Sequence, residues 1–365
     1  MSAITKGFKK VFVWLFIVGV LNIELVGIAN ADFKEIQITT DPSNQMCPSI
    51  SGDTIVWEDL RNGAYNTDIY MWDPINGERP VCTNPASQEN PKISGDTIVW
   101  EDYRNGNNNS DIYMWDPING ERAVCTAPRD QCRPSISGDK IVWEDFRNDI
   151  YHPDIYMWDP VNGERAVCTD PGKQCNPDIS GDRIVWEDYR NGYPNIYMWD
   201  PVNGEKPIYP NPASQESPKI SGNKIVWTDF RHGHFDIYIW DPINGERPVF
   251  TSCATRFSPA ISGDNIVWEE SRNGNDDIYM WDPINGERPV CMNPTDQVFP
   301  AISGDEIVWM DCRNGYVDLD IYMALIPGVS TLKGDLNKDG IVNIEDLAII
   351  SSEWMQEESW YFHEL

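Results

Sequence analysis

The chain has 365 residues, 41% of them hydrophobic and 16 of them Trp, enough for a sizeable buried core, yet its formal net charge is -30. So acidic a chain repels nucleic acid and anionic membrane surfaces and suits cations, calcium among them. What remains is a folded, acidic protein.

At the N-terminus, Lys6, Lys9 and Lys10 precede an apolar run from Val11 to Leu21, and Ala29-Asn30-Ala31 supplies a small-x-small cleavage site. Residues 1–31 read as a secretory signal peptide cut before Asp32, because Glu24 and the short apolar run argue against a membrane anchor. The mature chain is then secreted or cell-surface, in a compartment that permits disulfides.

Beyond it, Ile-Val-Trp recurs seven times, ending at Trp57, Trp100, Trp143, Trp186, Trp227, Trp268 and Trp309, at spacings of 43, 43, 43, 41, 41 and 41. A period of about 40 to 45 residues made of short strands and tight turns marks a β-propeller blade. Each unit divides into four strand-length pieces, in the second unit PKISG, TIVWED, DIYMWD and ERAVCT. Gly, Asn, Asp and Pro fall at the joints and β-branched and aromatic residues between them, as four antiparallel strands require. The fourth piece follows only the first six units; after Asp320-Ile321-Tyr322-Met323 the chain reads ALIPG. Glu35 to Thr40 (EIQITT) aligns with the missing piece, so the N-terminal strand is predicted to close blade seven and shorten the exposed edges. The expected fold is all-β, a seven-bladed β-propeller over 32–327.

The unit SGDxIVWEDxRNGxxxDIYMWDPxNGE resembles the repeat of TolB-type propellers, which share an aromatic-rich strand, an Asp-Arg-x-Gly corner and an Asp-Ile-Tyr strand. The resemblance spans residues 33 to 326 and implies the fold; such repeats serve protein binding, ligand binding and some polysaccharide-degrading enzymes, so function must come from the site. The amino-terminal α/β domain of TolB is absent from the sequence. Asp59, Asp102, Asp145, Asp188, Asp229 and Asp311 recur after the Trp, with Arg61, Arg104, Arg147, Arg190, Arg231, Arg272 and Arg313 two places later. A catalytic pair needs one copy; residues repeated in this way belong to the blade corner, held by charge-assisted hydrogen bonds. The seven Trp are core residues between blades, by the same reasoning.

Cys125 and Cys132 occupy the positions in unit two that Cys168 and Cys175 occupy in unit three. Two local disulfides are expected there, each contributing about 2 kcal/mol by restricting the unfolded chain. Cys82 and Cys291 share the strand position without a partner, and Cys47, Cys253 and Cys312 follow no repeat logic. Nine cysteines leave at least one free or paired between chains, and the lack of any CxxC or Cys/His cluster argues against a metal.

Function belongs where the copies differ. The SGD and DPING turns on one face hardly vary, whereas the loops between second and third strands read AYNT, NNNS, IYHP, YP, HF, ND and YVDL. That face is the candidate binding face, since a rigid scaffold presents binding residues on loops. It would show Tyr65, Tyr151, Tyr193, Phe235 and Tyr316, with His152, His232 and His234, a set that suits carbohydrate or peptide ligands. His232-Gly233-His234 matches no metalloenzyme spacing, and no Ser-His-Asp arrangement, phosphate loop or isolated carboxylate pair stands out, so no catalytic residue is assigned.

After Pro327 the repeat stops, and residues 328–356 form a short module ending in a predicted helix, with a tail over 357–365. Within GDLNKDGIVNIEDLAIISSEWM, a twelve-residue calcium loop runs from Asp335, with oxygen ligands at Asp335, Asn337, Asp339, the carbonyl of Ile341, Asn343 and Asp346, and with Gly340 at the sharp turn. Calcium wants six to eight hard oxygens, and alternation in a tight loop aims them inward. Asp at the twelfth place and the helix after it resemble half of a dockerin, the module that docks secreted proteins onto cohesins; the resemblance puts Ile344 and Glu345 at cohesin-contacting places. Dockerins carry two such loops and this sequence carries one, so the segment either lost its second half or serves to cap or tether the propeller.

Three readings follow: a non-catalytic propeller binding protein or glycan through its variable face with a calcium-loaded docking tail; a glycoside hydrolase or lyase carrying a dockerin; or a structural surface-layer component. Near-identity of the repeats favours the first, because a catalytic pocket demands blade-specific groups intruding on the channel.

Overall fold

The computed structural model describes residues 33–63, 65–106, 109–250, 254–272 and 274–327. The expected signal peptide, the calcium loop at Asp335, Asn337, Asp339, Ile341, Asn343 and Asp346, and Cys253 lie outside the described residues.

Seven four-stranded antiparallel sheets make up the described chain. In blade one the strands Gln45–Ser51, Thr54–Asp59, Asp68–Asp73 and Gly77–Cys82 pair in chain order. The pattern recurs over 88–125, 131–168, 174–207, 215–248 and 255–291. Blade seven joins Gln297–Ser303, Glu306–Asp311 and Asp320–Leu325 to Glu35–Gln37, with Glu35 opposite Ala324, Ile36 opposite Met323 and Gln37 opposite Tyr322. The predicted N-terminal closing strand is thus present. First strands touch the first strands of both neighbouring blades, 45–51 against 297–303 included, so the seven line a central channel.

Sandwiching explains the unbroken Ile-Val-Trp runs. A blade has a neighbour on each face, and the strand at Thr54–Asp59 has Ile55, Val56 and Trp57 all fully buried. Alternate side chains serve opposite interfaces: Trp100 of blade two packs with Val56, Ile69 and Met71 of blade one. Trp57 Nε1 donates to Asp59 at 3.0 Å, and Arg61 forks onto the same carboxylate at 2.8 and 2.6 Å. The Arg61 guanidinium lies 4.0 Å from the Tyr70 ring centroid and reaches Glu78 at 2.5 Å, tying second, third and fourth strands together. At the closure Glu35 takes the place of Glu78, accepting from Arg313 at 2.7 Å. The repeated Asp–Arg pairs are therefore corner braces. On the other side of each blade, Asp73 Oδ1 accepts the N–H groups of Ile75 and Asn76, and Gly77 at φ +67° completes a turn that a side chain would strain.

The expected disulfides are not formed: Cys125, Cys132, Cys168 and Cys175 are free thiols. Cys125 ends an outer strand, where its sulfur accepts from Arg147 of blade three at 3.2 Å, and Cys168 does the same with Arg190 at 3.3 Å. Cys132 and Cys175 instead sit on first strands, opposite Glu144 and Glu187. The connection between them runs from the rim of one blade to the innermost strand of the next. A blade is about three strand spacings of ~4.8 Å across, too wide for a disulfide. Cys82 and Cys291 also face the next blade's arginine, Arg104 at 3.7 Å and Arg313 at 3.5 Å.

Candidate functional site

Each first strand begins Gln-x-x-Pro, except that Arg256 replaces the Gln in blade six. A bulge at the x-x pair puts its second residue at positive φ: Cys47, Asn90, Arg133, Asn176, Ser217, Ser258 and Phe299, between 46° and 55°. Because these strands start at the variable-loop face, the bulges form the rim of the channel mouth there. At five of the seven, Asn90, Arg133, Asn176, Ser217 and Phe299, the kink turns the N–H of the bulged residue toward the preceding blade, where the Glu that follows the Trp accepts it.

Blades two to five convert this into a polar relay. Asn90 N donates to Glu58 at 2.7 Å and its side chain to Glu101 at 2.7 Å. Glu101 also accepts Arg133 N at 2.6 Å, while Arg133 Nη1 meets Glu144 at 3.0 Å. Glu144 accepts Asn176 N at 2.7 Å, and Asn176 passes its side chain to Glu187 at 2.6 Å, which accepts Ser217 N at 2.8 Å. Tyr103 and Tyr189 add hydroxyl donors to Glu101 and Glu187 at 3.2 and 3.3 Å. Burial raises Glu58 and Glu144 above the usual carboxylate range and pushes Glu101 up to about 7, against the hydrogen bonds that favour its ionised form. Burial, reinforced by these carboxylates, also raises Cys132 and Cys175, whose thiols stay protonated and unreactive.

The opposite arc is apolar. Met310 replaces the relay Glu, and Met46 and Val298 pack on it with Cys312 and Leu319. Phe257 lies 5.7 Å from Phe235, which lies 4.9 Å from Phe230, and Phe299 is 49% exposed. The mouth therefore offers hydrogen-bonding groups along one arc and aromatic surface along the other.

Beside the polar arc lies an open cleft of about 440 Å³ lined by Tyr151, His152, Asp170, Pro171, Gly172, Lys173, Tyr189 and Arg190. Asp149 fixes its outer wall, accepting Tyr151 N at 2.7 Å and meeting His152 Nδ1 at 3.2 Å. Arg190 is held by Asp170 at 3.0 Å, Asp188 at 2.6 Å and Glu205 at 2.6 Å, which more than neutralise its charge. Lys173 Nζ stands 5.1 Å from the Tyr189 ring centroid. Since the Tyr189 hydroxyl bonds Glu187, one side chain joins cleft and rim.

Of the eight loop residues named for the binding face, Tyr151 and His152 are the two in this cleft. Tyr65 (97% exposed), Tyr193 and Tyr316 project from blades one, four and seven, Tyr316 bonding Asp296 at 2.7 Å. Phe235 belongs to the aromatic arc. His232 stands where other blades have Asn and bonds Tyr238 at 3.1 Å, much as Asn191 bonds Tyr197 at 3.3 Å, which makes it a corner residue. His234 pairs with Asp236 at 3.2 Å. The rim was missed by attending to loops alone. Its signal was in the sequence: between the recurrent Gln and Pro, the pairs Met46-Cys47, Glu89-Asn90, Cys132-Arg133, Cys175-Asn176, Glu216-Ser217, Phe257-Ser258 and Val298-Phe299 all differ.

Among the described residues, no three His, Cys, Asp or Glu side chains are gathered to hold a metal ion. No family model and no curated protein matches the sequence. The fold defines the class, a seven-bladed β-propeller, and solved structures share it at low identity. The β-propeller domain of the trilobed protease from Pyrococcus furiosus, described as having an open velcro topology, aligns with TM-score 0.63 and 13% identity over 78% of this chain and 94% of that one. An oligogalacturonate lyase in complex with manganese aligns with TM-score 0.60 and 14% identity over 82% and 99%. A puromycin-hydrolysing peptidase of Mycobacterium tuberculosis gives 0.58 and 11% over 73% of this chain and 49% of that chain, so the propeller spans about half of that enzyme.

Proposed function

We propose that this is a secreted or cell-surface, non-catalytic propeller that binds an extracellular glycan or protein at its variable face. One observation supports the reading most: groups that differ from blade to blade are concentrated at the channel mouth and the adjoining cleft, on a ring that otherwise repeats itself. Exposed Tyr151 offers a sugar-stacking or peptide-contacting surface, Lys173 and His152 offer donors, and the relay from Asn90 to Ser217 offers a rigid polar wall. The TolB-like repeat and the single dockerin-like loop read from the sequence support a location outside the cell, and in this reading calcium at Asp335, Asn337, Asp339, Ile341, Asn343 and Asp346 orders a tail that docks on a cohesin or another extracellular assembly.

A glycan array and polysaccharide pull-down test the reading. Tyr151→Ala and Lys173→Ala each weaken the captured ligand about tenfold, equivalent to about 1.4 kcal/mol, while Tyr65→Ala leaves it unchanged. Equal losses from all three would place binding away from the cleft. The likeness to an oligogalacturonate lyase over 99% of that chain favours a second reading, a polysaccharide-degrading enzyme. Unsaturated products or new reducing ends released from the bound polysaccharide would decide for it.

A further inference from the structure

The face opposite the variable loops carries the seven turns between first and second strands, linked into a ring. Gly95 N donates to Ser51 Oγ at 2.9 Å, and the same bond joins Gly138 to Ser94, Gly181 to Ser137, Gly222 to Ser180, Gly263 to Ser221 and Gly304 to Ser262. At the seam where blade seven meets blade one, Gly52 N donates to Ser303 Oγ at 2.9 Å. Every junction thus has one geometry, and in it the first residue of a second strand faces the residue after the glycine in the next blade's turn.

Three of these facing pairs are complementary: Lys140 Nζ meets Asp182 at 3.3 Å, Lys224 pairs with Asp264, and Arg183 donates to Asn223. At the junction of blades six and seven Asn265 instead donates to the carbonyl of Gly304 itself at 3.4 Å. At the seam the acidic partner is kept, as Asp53, but the residue facing it is Glu306. Glu306 is 4% exposed, and its Oε2 has no hydrogen-bond partner. Asp305 adds further negative charge beside it. Two carboxylates in contact, one of them buried, need either a proton or a cation between them.

We propose that a hard divalent cation bridges Glu306 and Asp53 at the seam, standing where a lysine Nζ stands at the junctions of blades three and five. Carboxylate oxygens are the ligands such ions prefer, and water completes the shell. Two protein carboxylates make a weak site, in the affinity class of about 10⁻⁴–10⁻³ M found for extracellular calcium modules. Its consequence is mechanical: the ion ties the innermost strands of blade seven to blade one, which the chain itself joins through the outer strand at Glu35–Gln37. Binding the native state alone, it stabilises the closed ring.

Calcium is the probe, and the full chain carrying Asp335→Ala keeps the tail loop from reporting. Melting is followed at pH 8 by near-UV circular dichroism of the buried Trp residues, with about 5 mM calcium or with chelator. The expected result is a calcium-dependent rise of about 2 °C in this parent, abolished by Glu306→Gln and by Glu306→Lys. Glu306→Lys should also melt above the calcium-free parent, because it recreates the Lys–Asp pair of the other junctions. A parent indifferent to calcium overturns the proposal, and so does a shift that survives in both variants. Neither outcome bears on ligand capture at the opposite face.

Discussion

The two arcs of the channel mouth share one backbone and offer different chemistry. From Asn90 to Ser217 the bulged residues and the carboxylates of Glu58, Glu101, Glu144 and Glu187 form an unbroken hydrogen-bonded wall. In the opposite arc Met310 stands in place of that carboxylate, and Phe257 and Phe299 occupy the rim. A corner of Trp, acid and Arg holds every blade in register, and so the identity of the two residues inside each bulge is free to differ from blade to blade. Divergence collects there because the scaffold does not need those side chains, and a ligand can use them.

Blade six breaks the comparison most sharply. In blade five Gln215 donates to Asp229 at 3.2 Å; in blade six the corner acid is Glu270, and Arg256 replaces the Gln, donating to Glu270 at 2.9 Å and to Asp236 at 3.1 Å from a fully buried position. A longer acid and a charged partner stand in place of a shorter acid and a neutral one. Truncating Arg256 to Ala strands buried carboxylates, and should cost about 3–5 kcal/mol in denaturant unfolding, the largest single effect expected here. The double variant Arg256→Gln with Glu270→Asp restores the common blade pattern and should recover most of that loss. Failure to recover would mean that blade six is held by contacts the other blades lack.

The polar arc makes its own prediction, in pH. Glu101 has a folded-state pKa of about 7, above its ordinary 4.5, so between those values the folded state keeps a proton that the unfolded chain has lost. Its contribution to stability is therefore full below about pH 4.5 and falls as pH rises toward 7, by at most ~1.4 kcal/mol per unit. Glu101→Gln should flatten the fall of the urea midpoint across that window while keeping acceptor oxygen for Asn90 and Arg133. An unchanged pH slope would show that these donors already hold the carboxylate ionised.

How much of this was written in the sequence depends on whether a feature repeats. The Ile-Val-Trp period, the joint residues and the orphan strand at Glu35 gave the ring and its closure, because register and patterning are local properties summed over seven copies. The disulfides were misread for the complementary reason: Cys125 and Cys132 are near in sequence, but the connection between them crosses a blade, a distance no local pattern records. The cleft at Tyr151 and Lys173 was half legible, its tyrosine in a variable loop and its lysine in an inter-blade link that resembles its neighbours. Glu306 carries no signal of its own in the sequence, since its meaning lies in a lysine that two other blades have at that place and this junction does not.

The smallest effect separates strain from use at the rim. Phe299 sits at φ +55°, where Asn90 and Asn176 sit at 52° with side chains suited to it, and a non-Gly residue in that region costs roughly 1–2 kcal/mol, less for Asn. A half-exposed Phe offsets little of that cost by burial. Phe299→Asn should therefore raise stability by about 1 kcal/mol or less while Phe299 N keeps its 2.6 Å bond to Glu269, because the backbone is already bent for it. The same substitution removes aromatic surface from the apolar arc. A gain in melting temperature together with a loss of ligand capture would mark Phe299 as a residue kept at the expense of stability, and a gain with capture unchanged would confine binding to the polar arc and the cleft beside it.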